Sequence, residues 1–116
     1  YLPLDRIVVQ SFDFRILKYW HEKYPKVRLA ALVENNKSID ANLKELGFKP
    51  SVYSPYFTLL SKGKVKYLQD QKIRVIPWTV NEINDMKKMK DMGVDGFITD
   101  YPDRAGQLGI GIRRAL

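Results

Sequence analysis

Two kinds of hydrophobic pattern alternate along the chain. Short blocks rich in β-branched residues, Ile7-Val8-Val9, Val27 to Val33 (VRLAALV), Val52-Tyr53 within Ser51–Ser54, and Ile73 to Trp78 (IRVIPW), predict strands. Between them, apolar residues recur at three- and four-residue steps, as one side of a helix requires. Asp13 is placed to cap a first helix whose stripe is Phe14, Leu17, Trp20 and Tyr24, ended by Pro25. Ile39, Leu43 and Leu46 form the buried side of a helix from about Lys37 to Leu46, closed by Gly47. A third helix is expected near Thr58–Gln71, with Leu59, Leu60, Val65 and Leu68 apolar and Gly63 weakening its start.

The stretch Ile73–Asp103 carries the densest signals. Asn81 offers an N-cap ahead of an acidic first turn with Glu82 and Asp85, and Ile83, Met86, Met89 and Met92 line one side of the helix. Gly93 supplies a left-handed cap, and Val94-Asp95-Gly96-Phe97-Ile98 resumes the strand pattern. Strand starts at Ile7, Val27, Val52, Ile73 and Val94 lie 20, 25, 21 and 21 residues apart. Near-continuous apolar strands joined by helices predict a parallel sheet covered on both faces. The fold class is therefore α/β, one domain over residues 1–116, either an open parallel sheet or about five β/α units of a partial (β/α)₈ barrel, since a whole barrel takes about 250 residues.

Composition adds exclusions. No run approaches the roughly 18 apolar residues of a membrane span, and no leader-like segment opens the chain, so a soluble protein is expected. Zero cysteines exclude disulfides and thiolate sites, and fit either a cytosolic or an exported protein. A net charge of +7 favours anionic partners, but Lys62, Lys64, Lys66, Lys87, Lys88 and Lys90 fall on expected outer helix faces. Aromatic and basic residues are not interleaved as in a single-strand binding surface, so no nucleic-acid partner is expected.

Trp78-Thr79-Val80-Asn81, followed by Gly93 to Asp103 (GVDGFITDYPD), resembles the C-terminal signature of the glycerophosphodiester phosphodiesterase family. Val9-Gln10-Ser11-Phe12-Asp13 is similar to that family's mid-barrel strand end. The resemblance implies a TIM-type barrel of which this chain supplies strands four to eight. It further implies a parent enzyme that hydrolyses glycerophosphodiesters to an alcohol and glycerol 3-phosphate with a divalent cation, Ca²⁺ or Mg²⁺. The family's His-Arg-Gly strand end, Glu-x-Asp ligands, second histidine and Glu-x-Lys strand end are absent here. No catalytic residue and no bound cation are therefore expected in this chain. A non-catalytic anion- or nucleic-acid-binding βα module is the alternative.

Two-histidine hydrolysis needs one group to take a proton or attack and another to protonate the leaving oxygen, yet His21 is the single histidine and sits mid-helix beside charged residues. Asp13, Glu34 and Asp100 follow strands and suggest oxygen ligands, but helix caps and loop hydrogen bonds use the same positions. A wall for the substrate is the expected contribution. Trp78 is the leading candidate, its ring packing on a glycerol-like part of the ligand and its N–H donating a hydrogen bond, with Phe12, Ser11, Asn81 and Asp100 as further candidates. Thr79 and Thr99 join Asn81 in the loops after the last two strands, where barrel phosphate sites often lie. A partial barrel also leaves strand edges unpaired, which predicts self-association. Gly106 to Gly111 lacks phosphate-loop spacing, and it reads with Arg113 and Arg114 as a terminal turn and tail.

Overall fold

The computed structural model describes residues 8–101 and residue 103; the expected strand start at Ile7, the turn at Gly106–Gly111 and the Arg113 and Arg114 tail lie outside them. In chain order the elements are β1 (Val8–Ser11), α1 (Phe14–Lys23), β2 (Arg28–Val33), α2 (Ile39–Leu46), β3 (Val52–Pro55), a 3₁₀ turn (Phe57–Leu59), α3 (Lys62–Asp70), β4 (Arg74–Val75) and α4 (Ile83–Met92). The strands form one parallel sheet in the order β1-β2-β3-β4, with Gln10, Ala30, Val52 and Arg74 in register across it.

Strand residues alternate between two buried faces, which is why the blocks read as continuous apolar runs. Leu29 and Ala31 pack with Leu17 of α1 and Leu46 of α2. Val33, Tyr53 and Val75 pack with Ile39, Val65, Leu68, Met86 and Met89 of the later helices. On the opposite face Ala30, Val52 and Ile76 form a separate cluster, with Val8 and Ile98 against it.

The helix ends follow local chemistry. The Asp13 carboxylate accepts the Arg15 N–H at 2.9 Å and opens α1, while Ser38 does the same for α2 through the Ala41 N–H at 3.1 Å. Gly47 and Gly93 each close a helix at φ 84°, a conformation that costs other residues about 1 kcal/mol or more. In α1 only Leu17 is fully buried; Tyr24, expected to end the stripe inside, is exposed and packs on Trp20 at 5.0 Å.

Three expectations are corrected. The helix expected near Thr58–Gln71 starts at Lys62, because a 3₁₀ turn runs through Leu59 and Leu60 is extended. Ser61 then caps it by accepting the Lys64 N–H. Gly63 thus falls in the first turn. Asn81 does not cap α4; Glu82 holds that position, without a side-chain cap bond, and Asn81 is engaged elsewhere.

The expected fifth strand, Val94–Ile98, is not a regular strand. It still runs beside β4: Asp95 and Ile98 donate their N–H groups to the carbonyls of Val75 and Pro77, and Val80 donates to Ile98. Regular pairing fails for three reasons. The Asp95 carboxylate takes the Val75 N–H at 2.8 Å, where a ladder would present a carbonyl. Pro77 has no N–H. The step from Val75 to Pro77 is matched by one residue more, Asp95 to Ile98, as in a bulge. Past β4 the backbone keeps its course, since Ile76 and Trp78 donate to Tyr53 and Pro55 and Tyr56 bridges Trp78.

Candidate functional site at the strand ends

In a parallel sheet every strand delivers its C-terminal end to the same edge, so the loops after β1, β2, β3 and β4 gather there. Three aromatic side chains meet at that edge. Trp78 stands between Phe12 and Tyr56, edge-on to both, with ring centroids 5.4 Å and 5.1 Å apart. Tyr56 also contacts Phe57 at 5.2 Å. Phe12 follows β1 and Trp78 follows β4, which in a flat sheet would stand about 14 Å apart at 4.8 Å per strand. Their contact spans the ends of two intervening strands.

Trp78 is half-buried, and its indole N–H donates to the Ser54 carbonyl at 2.9 Å. The expected N–H donor of Trp78 thus has a backbone acceptor in β3, a bond that fixes the ring. Beneath it, the Ser54 side chain is fully buried, and its hydroxyl has no hydrogen-bond partner among the described residues.

Asn81 and Asp100 form a second group. The Asn81 carbonyl accepts the Asp100 N–H at 3.0 Å and the Thr99 hydroxyl at 3.2 Å, while its amide donates to the Asp100 carboxylate at 3.1 Å. Thr99 in turn accepts the Tyr101 N–H at 3.0 Å. Asn81 and Thr99, expected near a phosphate, thus bind each other and fasten the loop after β4 to the one after Ile98. Ser11 joins neither group, and its hydroxyl accepts the Asp13 N–H at 2.9 Å.

Asp13 and Glu34 line one groove of about 440 Å³, together with Phe12, Arg15 and Lys37. Asp100 does not belong to it. Asp13 is committed to its cap and to Arg15, whose guanidinium holds two of its oxygens at 3.1 Å and 2.9 Å and depresses its pKa below the ordinary 3.8. Among the described residues no three His, Cys, Asp or Glu side chains are grouped to hold a metal ion, so the donors here do not fit the divalent cation that the sequence resemblance implies. His21 is exposed on α1 and stacks flat on Phe48, centroids 4.0 Å apart.

Sequence reasoning missed Tyr56. The signal was present in alternation: Val52, Ser54 and Tyr56 point to one face, the face that also carries Ile76 and Trp78.

Comparison with known proteins adds an independent line. The glycerophosphoryl diester phosphodiesterase family matches residues 3–104. A glycerophosphodiester phosphodiesterase of Bacillus altitudinis is 34% identical over 105 residues, covering 87% of this chain and 42% of that protein. One from Bacillus subtilis is 29% identical over 101 residues, covering 84% of this chain and 34% of its own length. The crystal structure of a glycerophosphodiester phosphodiesterase from Parabacteroides distasonis superposes with a TM-score of 0.76 at 28% identity, over 90% of this chain and 43% of that one. The chain spans about two-fifths of the length of the curated relatives it matches.

Proposed function

Because the chain belongs to the glycerophosphoryl diester phosphodiesterase family, we propose that it is the C-terminal part, strands four to eight, of a TIM-type barrel that hydrolyses glycerophosphodiesters to an alcohol and glycerol 3-phosphate. The parent's hydrolysis depends on a divalent cation, Ca²⁺ or Mg²⁺, held by residues outside this chain. The meeting of Phe12, Tyr56 and Trp78 at the C-terminal strand ends carries the reading. Barrel active sites lie at that edge, and an aromatic wall there receives the carbon skeleton of a small polar substrate. Contact between residues following β1 and β4 supports a sheet that curls as a barrel wall does.

The acid–base step lies elsewhere. Proton removal or attack and leaving-group protonation need two suitably placed groups, and the one histidine stacks on Phe48 far along α1 from its N-terminal end. This chain positions the substrate; Trp78 and Phe12 line the pocket, and Asn81, Asp100 and Ser11 hold the loops that carry them. Supplied with glycerophosphocholine and Ca²⁺, the 116-residue chain is expected to release no glycerol 3-phosphate. The same chain preceded by the family's first three strands should release it. Turnover by the chain alone would overturn this assignment.

A further inference from the structure

Glu34 is the first residue past β2, and strand alternation turns it to the face that carries Ala30 and Leu32. Parallel pairing continues at this point: Val33 lies beside Pro55, its carbonyl accepts the Tyr56 N–H at 2.8 Å, and Tyr56 bridges Trp78. Glu34, Tyr56 and Trp78 therefore form one row across the ends of three neighbouring strands, with Phe12 meeting Trp78 from the β1 side. Glu34 and Phe12 line the same groove of about 440 Å³. The rings are crossed, not stacked, Phe12 and Tyr56 making angles of 87° and 62° with Trp78. Stacked rings would close their faces on one another, whereas Phe12 and Tyr56 keep 51% and 38% of their surface exposed. Those faces are the negative part of the aromatic quadrupole. The distant lysines behind the net charge of +7 are screened beyond about 8 Å at physiological salt, so the groove's own charges decide what it attracts. Asp13 is held by Arg15 at 2.9 Å and Glu45 by Lys37 at 3.1 Å. Of the charged side chains that line the groove, Glu34 and Lys18 stand outside those pairs, and Lys18 lies on α1, off the strand-end row.

We propose that Glu34 and the ring faces of Phe12, Tyr56 and Trp78 form a subsite for a cationic alcohol group, a quaternary ammonium such as choline, so that the parent favours diesters of positively charged alcohols over neutral ones. A quaternary ammonium has no N–H to donate. Ring faces supply most of its attraction, and one carboxylate balances its charge. A divalent metal ion calls for several oxygen ligands instead, which this row lacks. An uncharged glycerol group would use the rings but gain little from Glu34. The whole substrate's identity rests on the diesterase reading, whereas the cation subsite rests on the row itself.

Choline and its neutral carbon isostere, 3,3-dimethylbutan-1-ol, share a shape and differ in charge. Each is titrated into this chain at constant ionic strength and followed by Trp78 fluorescence in a Trp20→Phe background. The Trp78 indole N–H resonance of the unaltered chain gives the same titration without the substitution. Choline should bind at least about tenfold more tightly than the isostere. Glu34→Gln should cut that advantage by about threefold or more, and Lys18→Gln should not reduce it. No response to choline, equal affinity for the two ligands, or an advantage that survives Glu34→Gln would overturn the subsite; tighter binding of the isostere would assign the rings to a neutral group. Turnover is measured separately, in a chimera with the part of the Bacillus altitudinis relative that precedes the matched stretch fused ahead of this chain. There Glu34→Gln should raise KM for glycerophosphocholine relative to that for glycerophosphoglycerol. Choline binding without glycerol 3-phosphate release would count against the proposed activity and leave the subsite in place. Turnover with the two KM values moving together would overturn the subsite and leave the activity.

Discussion

Asn81 holds Asp100 from both sides, accepting its backbone N–H at 3.0 Å and donating to its carboxylate at 3.1 Å. The two residues lie 19 positions apart, and their pairing ties the loop that follows Trp78 to the one that follows Ile98. Both of Asn81's amide atoms are used, so no other side chain of similar size replaces it: leucine offers neither group, and aspartate turns the donor into a second negative oxygen.

Asn81→Leu is expected to cost about 1 kcal/mol, since Asp100 is exposed and water takes over its lost bonds while the half-buried Thr99 hydroxyl loses its acceptor. Asn81→Asp should cost at least as much at pH 7, because two carboxylates then face each other. One of them takes a raised pKa in the folded state, so the penalty is absent below the unfolded value and grows as pH rises through the folded one. Urea unfolding of both variants at pH 4 and pH 7 checks this. A pH-independent deficit in Asn81→Asp would show that the pair does not face as described.

Removing the Ser54 hydroxyl should be tolerated. It is fully buried and makes no hydrogen bond among the described residues, so Ser54→Ala removes an uncompensated polar group and is expected to leave stability unchanged or raise it by up to about 1 kcal/mol. Thermal unfolding of the variant gives the sign, and a loss above 1 kcal/mol would mean that the hydroxyl has a partner.

Trp78 contributes ring contact and one hydrogen bond, which two substitutions separate. Trp78→Phe loses the bond to the Ser54 carbonyl and should cost about 1 kcal/mol. Trp78→Ala also loses Phe12 and Tyr56, for a total of about 2–3 kcal/mol at this half-buried site. With Trp20 the only other tryptophan, fluorescence in a Trp20→Phe background reports the site directly. Equal losses for the two variants would remove the aromatic cluster as a source of stability.

Alkaline pH should unfold the protein through Tyr53. Burial holds its pKa above the ordinary 10.0, against the opposing effect of the bond donated by Asn42 at 3.0 Å. The folded value is the raised one, so the stability tied to the neutral phenol is complete below pH 10 and is lost as pH rises through the folded value. Tyr67 also titrates high, through its bond to Asp40, but it is exposed and should add little. Tyr53→Phe should cost about 1 kcal/mol at pH 7 and flatten the decline above pH 10; an unchanged decline would assign it to other groups.

Period and punctuation in the sequence were enough to place the β/α alternation, both glycine caps and the Asp13 cap, because those depend on neighbours within a few residues. The misses depend on distant partners. Asn81 has the composition of a cap, but Asp100 and Thr99 outbid the helix for its side chain. Val94–Ile98 has a strand's pattern, yet the Asp95 carboxylate occupies the position of a ladder carbonyl. At the site, Trp78 and Phe12 were legible as strand-end aromatics, whereas Tyr56 hid behind Pro55 and the hydrogen bond from the indole depended on a β3 carbonyl that no local pattern reveals.

The extra residue between Asp95 and Ile98 has a consequence for how copies of this protein can stick together. Ribbon growth by strand addition requires a ladder of evenly spaced donors and acceptors at both ends of a sheet, so that each newcomer offers the next a template. Beyond β4 the Val94–Ile98 segment is not a regular strand and has one residue more than β4 between matched hydrogen bonds, which makes it a poor template. Among the described residues β1 is the regular strand with no neighbour on its outer side, so two molecules paired through it would have no second regular edge to offer. Strand addition to the described sheet is therefore expected to stop at a pair and not to run into a fibre, which sedimentation and electron microscopy check.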